Sequence, residues 1–221
     1  MKSRIFKNME WMILISALLL SIVGFVALYS ATQSSGFDEL KKQVMWFGVS
    51  IVIMLVIMLV DYDVWAKLSP VFYGISIILL IAVLFTKARN GASSWFKIGA
   101  FTLQPGELAK VAVILFTSST IVKVQERGKF EINVFWKLCV TLLTVIFPVF
   151  LIILQPDYGT AAAYLVSLVL MLYVSGIDKK YIIVASILVV VALPLAYFFV
   201  LPNHAKTRID IFLNPESDPK G

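Results

Sequence analysis

The residues most suited to chemistry lie in the segment RNGASSWFKIGAFTLQPGELAK, residues 89–110. It carries three cations, Arg89, Lys97 and Lys110, and one carboxylate, Glu107, three positions before Lys110. Three positive groups converging near a membrane surface suit a phosphate or pyrophosphate, because each can donate charge-assisted hydrogen bonds to anionic oxygens. Lys110 stands five residues past Pro105, about 7.5 Å along a helix axis, among Ala109, Val111, Ala112 and Val113. A lysine buried at a bilayer centre costs about 2.5 to 3.5 kcal/mol on insertion scales. Two readings follow: a snorkelling lysine paired with Glu107 on the same helix face, or a cation lining a polar cavity. Trp95 suits the headgroup level, where an aromatic ring puts its body in lipid and its polar edge outward.

A second group is Asp157 in QPDYGTAAA, residues 155–163. Pro156 and Gly159 interrupt helix continuity, and an aspartate there can cap the next helix by accepting backbone N–H groups. It can equally serve as a functional carboxylate. A third polar segment, RIDIFLNPESDPKG, holds Arg208, Asp210, Glu216 and Asp218. With one cysteine, Cys139, and one histidine, His204, the chain has no Cys/His set for a transition metal and no intrachain disulfide. A divalent cation riding on a pyrophosphate is conceivable, but no dedicated ligands are identified, and no resident metal or cofactor is expected. Walker, H-E-x-x-H and G-x-S-x-G patterns are absent, which argues against an ATPase, a zincin or a serine hydrolase of familiar kind.

The elements that must position these residues are membrane helices. The 221 residues are 60% hydrophobic and 14% charged, with mean hydropathy +0.93, a composition that excludes an ordinary water-soluble domain. The net charge of +6 does not signal nucleic acid, because the basic residues punctuate apolar runs where loops meet lipid headgroups. Seven stretches approach the roughly 20 apolar residues that cross a bilayer: Trp11–Tyr29, Val44–Val60, Leu68–Phe85, Pro105–Val122, Phe135–Leu154, Thr160–Val174 and Tyr181–Leu201. Lys2, Arg4 and Lys7 precede the first of these, which is too long for a signal-peptide core and has no A-x-A site after it. With the N-terminus inside, ten lysines and arginines fall in cytoplasmic segments and five, Lys41, Lys42, Lys87, Arg89 and Lys97, in outer loops. That ratio supports a cytoplasmic N-terminus. Three of the five outer exceptions share the loop that opens the first motif. The expectation is an all-α integral membrane protein of about seven transmembrane helices, one membrane domain over residues 1–221, with its polar site at the outer face and an external segment from residue 202.

These motifs resemble those of the RodA/FtsW family, the proteins of bacterial shape, elongation, division and sporulation. NGASSWFKIGAFTLQPGELAKVA, QPDYGTA and RIDIFLNPESDPKG occur in the family's order and on the expected side, covering residues 89–221, while the first three helices match only in hydropathy and Trp/Tyr placement. The resemblance implies a peptidoglycan glycosyltransferase in the bacterial plasma membrane that polymerises lipid II, the undecaprenyl-pyrophosphate-linked disaccharide pentapeptide. It also implies a class B penicillin-binding protein as partner, with membrane lipid around it and no nucleic acid. NPESDPKG is more similar to RodA, the elongation member. Carried over residue by residue, the substrate-binding candidates are Arg89, Trp95, Lys97, Glu107, Lys110, Asp157 and Arg208.

The family has about ten spans, and its large outer loop after the seventh carries the carboxylate associated with glycosyl transfer. The catalytic residue is therefore expected beyond Gly221, and these 221 residues alone are expected to be inactive as the N-terminal portion of a longer domain. Two other classes compete: a flippase of lipid-linked precursor, which needs polar residues through the inner half of the bundle, and a noncatalytic scaffold for a transpeptidase.

Overall fold

The computed structural model describes residues 10–33, 36–86, 94–98, 101–185, 187 and 206–207. Six long helices run in order: α1 (Trp11–Thr32), α2 (Asp38–Met58), α3 (Tyr62–Leu84), α4 (Pro105–Val124), α5 (Phe135–Ile153) and α6 (Tyr158–Ser175). Residues 179–185 are helical where the seventh span was expected to begin; most of that span lies outside the described residues. All but α4 are long and apolar enough to cross a bilayer. The shortfall in α4 follows from Glu107, Lys110 and the hydroxyl run from Thr117 to Thr120. The chain is an all-α integral membrane protein.

Helices outrun the apolar stretches at several ends because polar residues continue them into the headgroup layer. In α2 the first turns hold Asp38, Glu39, Lys41 and Lys42, joined by ion pairs of 3.2 Å (Lys41 to Asp38) and 3.0 Å (Lys42 to Glu39). One feature was not anticipated: a two-stranded antiparallel hairpin, β1 (Phe96–Ile98) with β2 (Phe101–Leu103), opposing Phe96 to Leu103, Lys97 to Thr102 and Ile98 to Phe101. Its signal was the alternation of apolar and polar residues in FKI and FTL around Gly99 and Ala100.

The chain forms two compact units, Met1–Trp65 and Ala66–Gly221. In the first, α1 and α2 pack together, with Phe25 and Phe47 edge to face at 5.3 Å and Tyr29 stacked on Phe37 at 5.5 Å. Only Thr32 is buried on α1 and no residue on α2, as suits helices whose solvent is lipid.

In the second unit α4 packs against both α5 and α6. Its buried face includes Gly106, Ala109, Ala112, Val113 and Thr117, small groups that let backbones approach where no hydrophobic effect drives helices together in lipid. Leu80, Val145, Val149, Ile152, Ala161, Tyr164 and Leu168 belong to the same core. Hydroxyls tie the helices. The Thr144 hydroxyl donates to the Thr141 carbonyl at 2.7 Å, so its 2.8 Å contact with Thr117 must be one in which Thr117 donates. Pro70 inside α3 cannot bond the Ala66 carbonyl, and the Ser69 hydroxyl donates to that carbonyl instead at 2.7 Å.

The unit has two polar ends. At one, Gln125 Nε2 donates to the carbonyls of Lys129 and Ser175 at 2.6 and 2.8 Å, and the Asp178 N–H donates to Asn133 Oδ1 at 2.8 Å. At the other, the Ser94 hydroxyl donates to the Gln155 carbonyl at 3.3 Å, and Gln155 Nε2 donates to the Leu80 carbonyl at 3.1 Å. The charge pattern assigns the first end to the cytoplasm and the second to the outside.

Candidate functional site

Two helix N-termini meet at the outer-assigned end. The hairpin leads from β2 straight into Gln104, the N-cap of α4, and Pro105 occupies the first helical position, where its missing N–H costs nothing. Glu107 follows in the first turn, where the helix dipole favours a carboxylate, and its N–H donates to the Gln104 carbonyl at 3.1 Å. Beside it α6 starts at Asp157, whose Oδ1 accepts from the Thr160 N–H at 3.3 Å as an N-cap. The capping reading of Asp157 is therefore realised.

The two starts are bolted together. Gln104 Nε2 donates to Asp157 Oδ2 at 2.6 Å and reaches Thr160 Oγ1 at 3.4 Å. Tyr164, buried to 1% exposure, donates its hydroxyl to the Gly106 carbonyl at 2.7 Å. A Cβ on Gly106 would come within 3.2 Å of Thr160 Cγ2, so any larger residue there would have to push Thr160 aside by a few tenths of an ångström.

Lys110 Nζ lies 3.0 Å from Glu107 Oε1 and 2.9 Å from Oε2. Its side chain is 26% exposed and that of Glu107 55%, which places the ammonium inside the edge of the bundle with the carboxylate on its open side. The expected ion pair is formed. Glu107 is the partner of the Lys110 ammonium among the described residues. Each helix N-terminus is thus faced by a carboxylate, Glu107 on α4 and Asp157 on α6, and Lys110 is the cation of the cluster, the group that could meet an anionic substrate.

The structure brings Glu107, Lys110 and Asp157 into this cluster. Lys97 stands exposed on β1 opposite Thr102, and Trp95, 41% exposed, precedes that strand; both belong to the loop feeding α4. Arg89 and Arg208 lie outside the described residues. Sequence reasoning passed over Gln104, Thr160 and Tyr164. The available signal was the pair of Gln-Pro dipeptides, Gln104-Pro105 and Gln155-Pro156, each just before a helix start. Among the described residues no group of three or more His, Cys, Asp or Glu side chains is placed to hold a metal.

Fold and site together define a multi-pass helical membrane protein with an ion-pair site at one end of its bundle. The family model of the FtsW/RodA/SpoVE cell cycle proteins matches residues 10–221, and the chain belongs to that family. It is 33% identical over 221 residues to the "Probable peptidoglycan glycosyltransferase FtsW" of Geobacter metallireducens, covering 95% of this chain and 57% of that protein. It is 31% identical to stage V sporulation protein E of Bacillus subtilis, covering 96% and 59%, and 30% identical to the peptidoglycan glycosyltransferase MrdB of Escherichia coli, covering 95% and 55%. The chain therefore spans a little over half the length of these relatives. Among solved structures, a chain of a peptidoglycan synthase complex superposes with a TM-score of 0.77 at 26% identity, over 96% of this chain and 61% of that one. A mutant of the rod shape determining protein RodA of Thermus thermophilus superposes with a TM-score of 0.70 at 24% identity, over 88% and 61%, a likeness of fold.

Proposed function

We propose that the protein is a peptidoglycan glycosyltransferase of the bacterial plasma membrane. It polymerises lipid II at the outer leaflet beside a class B penicillin-binding protein and serves cell-wall elongation. Family membership, the glycosyltransferase names of the relatives and the polymerization-and-crosslinking complex among the structural neighbours support the reaction class. The observation that carries the reading is the Glu107–Lys110 ion pair in the first turns of α4, whose N-cap Gln104 is bonded to the N-cap of α6. The elongation role rests on NPESDPKG, which lies outside the described residues.

In the reaction an acceptor sugar hydroxyl attacks the anomeric carbon of lipid II. A glycosidic C–O bond forms, the C–O bond to pyrophosphate breaks, and the hydroxyl proton passes to a base. Charge develops on the departing pyrophosphate, so Lys110 acts where stabilisation in the transition state exceeds that in the ground state. Lys97 and Trp95, on the adjoining loop, would meet the headgroup region of the substrate. No base is assigned among the described residues, and the pyrophosphate would bring any divalent cation with it.

A flippase would need charged or wet groups along a crossing path. The buried polar side chains deeper in the bundle include Ser69, Ser76, Thr117, Thr141 and Thr144, hydroxyls that each have a hydrogen-bond partner. No charged residue occurs on α4 between Lys110 and Lys123. This pattern favours a site at one face. Labelled lipid II incubated with the full-length protein and a class B penicillin-binding protein should yield glycan chains. Movement of labelled lipid across vesicles without any polymer would contradict the reading.

A further inference from the structure

We propose that Gln104 is a positioning residue of this site, holding Asp157 so that the first turns of α4 and α6 keep a fixed separation beneath the pyrophosphate; the inference rests on the glycosyltransferase reading. Gln104 occupies the N-cap of α4 yet makes no side-chain cap bond to its own helix. Its side chain crosses to Asp157 Oδ2 at 2.6 Å and Thr160 Oγ1 at 3.4 Å. An ionised carboxylate only accepts, so the amide must present its NH₂ to Asp157. Through its carbonyl, which accepts from the Glu107 N–H at 3.1 Å, the same residue anchors the turn that carries the partner of Lys110. One side chain and one carbonyl thus connect the Asp157 carboxylate to the Glu107–Lys110 pair.

A purely structural role for this bond is the competing account. It is disfavoured because α4 and α6 are joined independently by the Tyr164 hydroxyl on the Gly106 carbonyl at 2.7 Å and by burial of Ala109 and Ala161. Removing the Gln104 amide should leave the helices docked while loosening the geometry around Lys110. A misplacement of about 1 Å in a positioning group can cost on the order of 100-fold in rate.

The test is a polarity exchange in the full-length protein with its class B penicillin-binding protein, followed by lipid II polymerisation rates and thermal unfolding in detergent. Gln104→Glu sets two carboxylates against each other at neutral pH and should lower kcat/KM about tenfold or more with the melting temperature retained. Adding Asp157→Asn restores the bond with donor and acceptor exchanged. The amide NH₂ at position 157 donates to the new carboxylate at position 104, while its oxygen still accepts from the Thr160 N–H. The double variant should therefore regain most of the lost rate. A double variant no more active than Gln104→Glu would overturn the proposal, since the Asp157 carboxylate itself would then be required. Full activity in Gln104→Glu would overturn it as well. Should Gln104→Glu fail to fold, Gln104→Leu removes the bond without repulsion and must show the same loss of rate; wild-type activity there refutes the proposal. Wild-type protein that makes no polymer counts against the glycosyltransferase reading instead.

Discussion

At the scale of single residues, two lysines near the ends of the helical bundle are held by carboxylates, Lys110 by Glu107 and Lys137 by Glu131. Lys137, in the first turn of α5, lies 2.7 Å from Glu131 Oε2. The hydrogen bond from Lys137, and then its charge, holds the Glu131 carboxyl below its usual range, with Arg127 adding a smaller effect. A carboxyl whose folded-state pKa is depressed contributes stability that is present above its unfolded pKa and lost as pH falls through the folded value. Detergent-solubilised protein should therefore melt at a progressively lower temperature as pH falls below about 4.3, and Glu131→Gln should respond less over that window. Equal pH responses would refute the assignment. The pairing of Lys110 with Glu107 was legible in the sequence from their spacing of three. What Gln104 does was not legible, because its partner Asp157 is 53 residues away and glutamine before proline reads as ordinary helix punctuation.

At the scale of elements, the helix boundaries reflect identifiable chemistry. Every described span expected from hydropathy is present, while the ends moved by a few residues because hydropathy stops at the first charge and a helix does not. The start of α4 at Pro105 was readable from proline's preference for the first helical position. The hairpin was not anticipated, because a loop between two spans gives too short a window for the period of two to stand out. At its C-terminus α6 ends on Gly176, in the left-handed region at φ 84°, with the Ile177 N–H donating to the Leu172 carbonyl at 3.2 Å. That closure is the Schellman arrangement, and glycine suits it because any Cβ is strained there. A Cβ would also meet Lys129 Cε at 2.8 Å. Gly176→Ala should destabilise the protein by about 1 to 2 kcal/mol, measurable as a lower midpoint in a thermal melt. An unchanged midpoint would show that the turn can adopt another conformation.

At the scale of the whole molecule, the second unit keeps its two kinds of polar end apart, as the lysine and arginine count required. In a Cys139→Ser background, a cysteine replacing the exposed Lys97 should react with an impermeant reagent on intact cells, and one replacing Lys129 only after permeabilisation; the reverse would invert the orientation. Family and fold class were readable because motif order and hydropathy are local properties of the chain. The network joining α4 to α6 was not, because it exists only once residues near 104 and 157 are folded together. The central claim is that Lys110 stabilises charge on a departing pyrophosphate, and it is tested by comparing Lys110→Met with wild type in lipid II polymerisation at equal amounts of folded, membrane-inserted protein. Losing one transition-state donor typically costs about 100-fold or more. The account predicts a fall of that order with insertion undiminished, since methionine removes the cost of burying a charge. A polymerisation rate within about twofold of wild type, in a variant lacking any such donor, would contradict it.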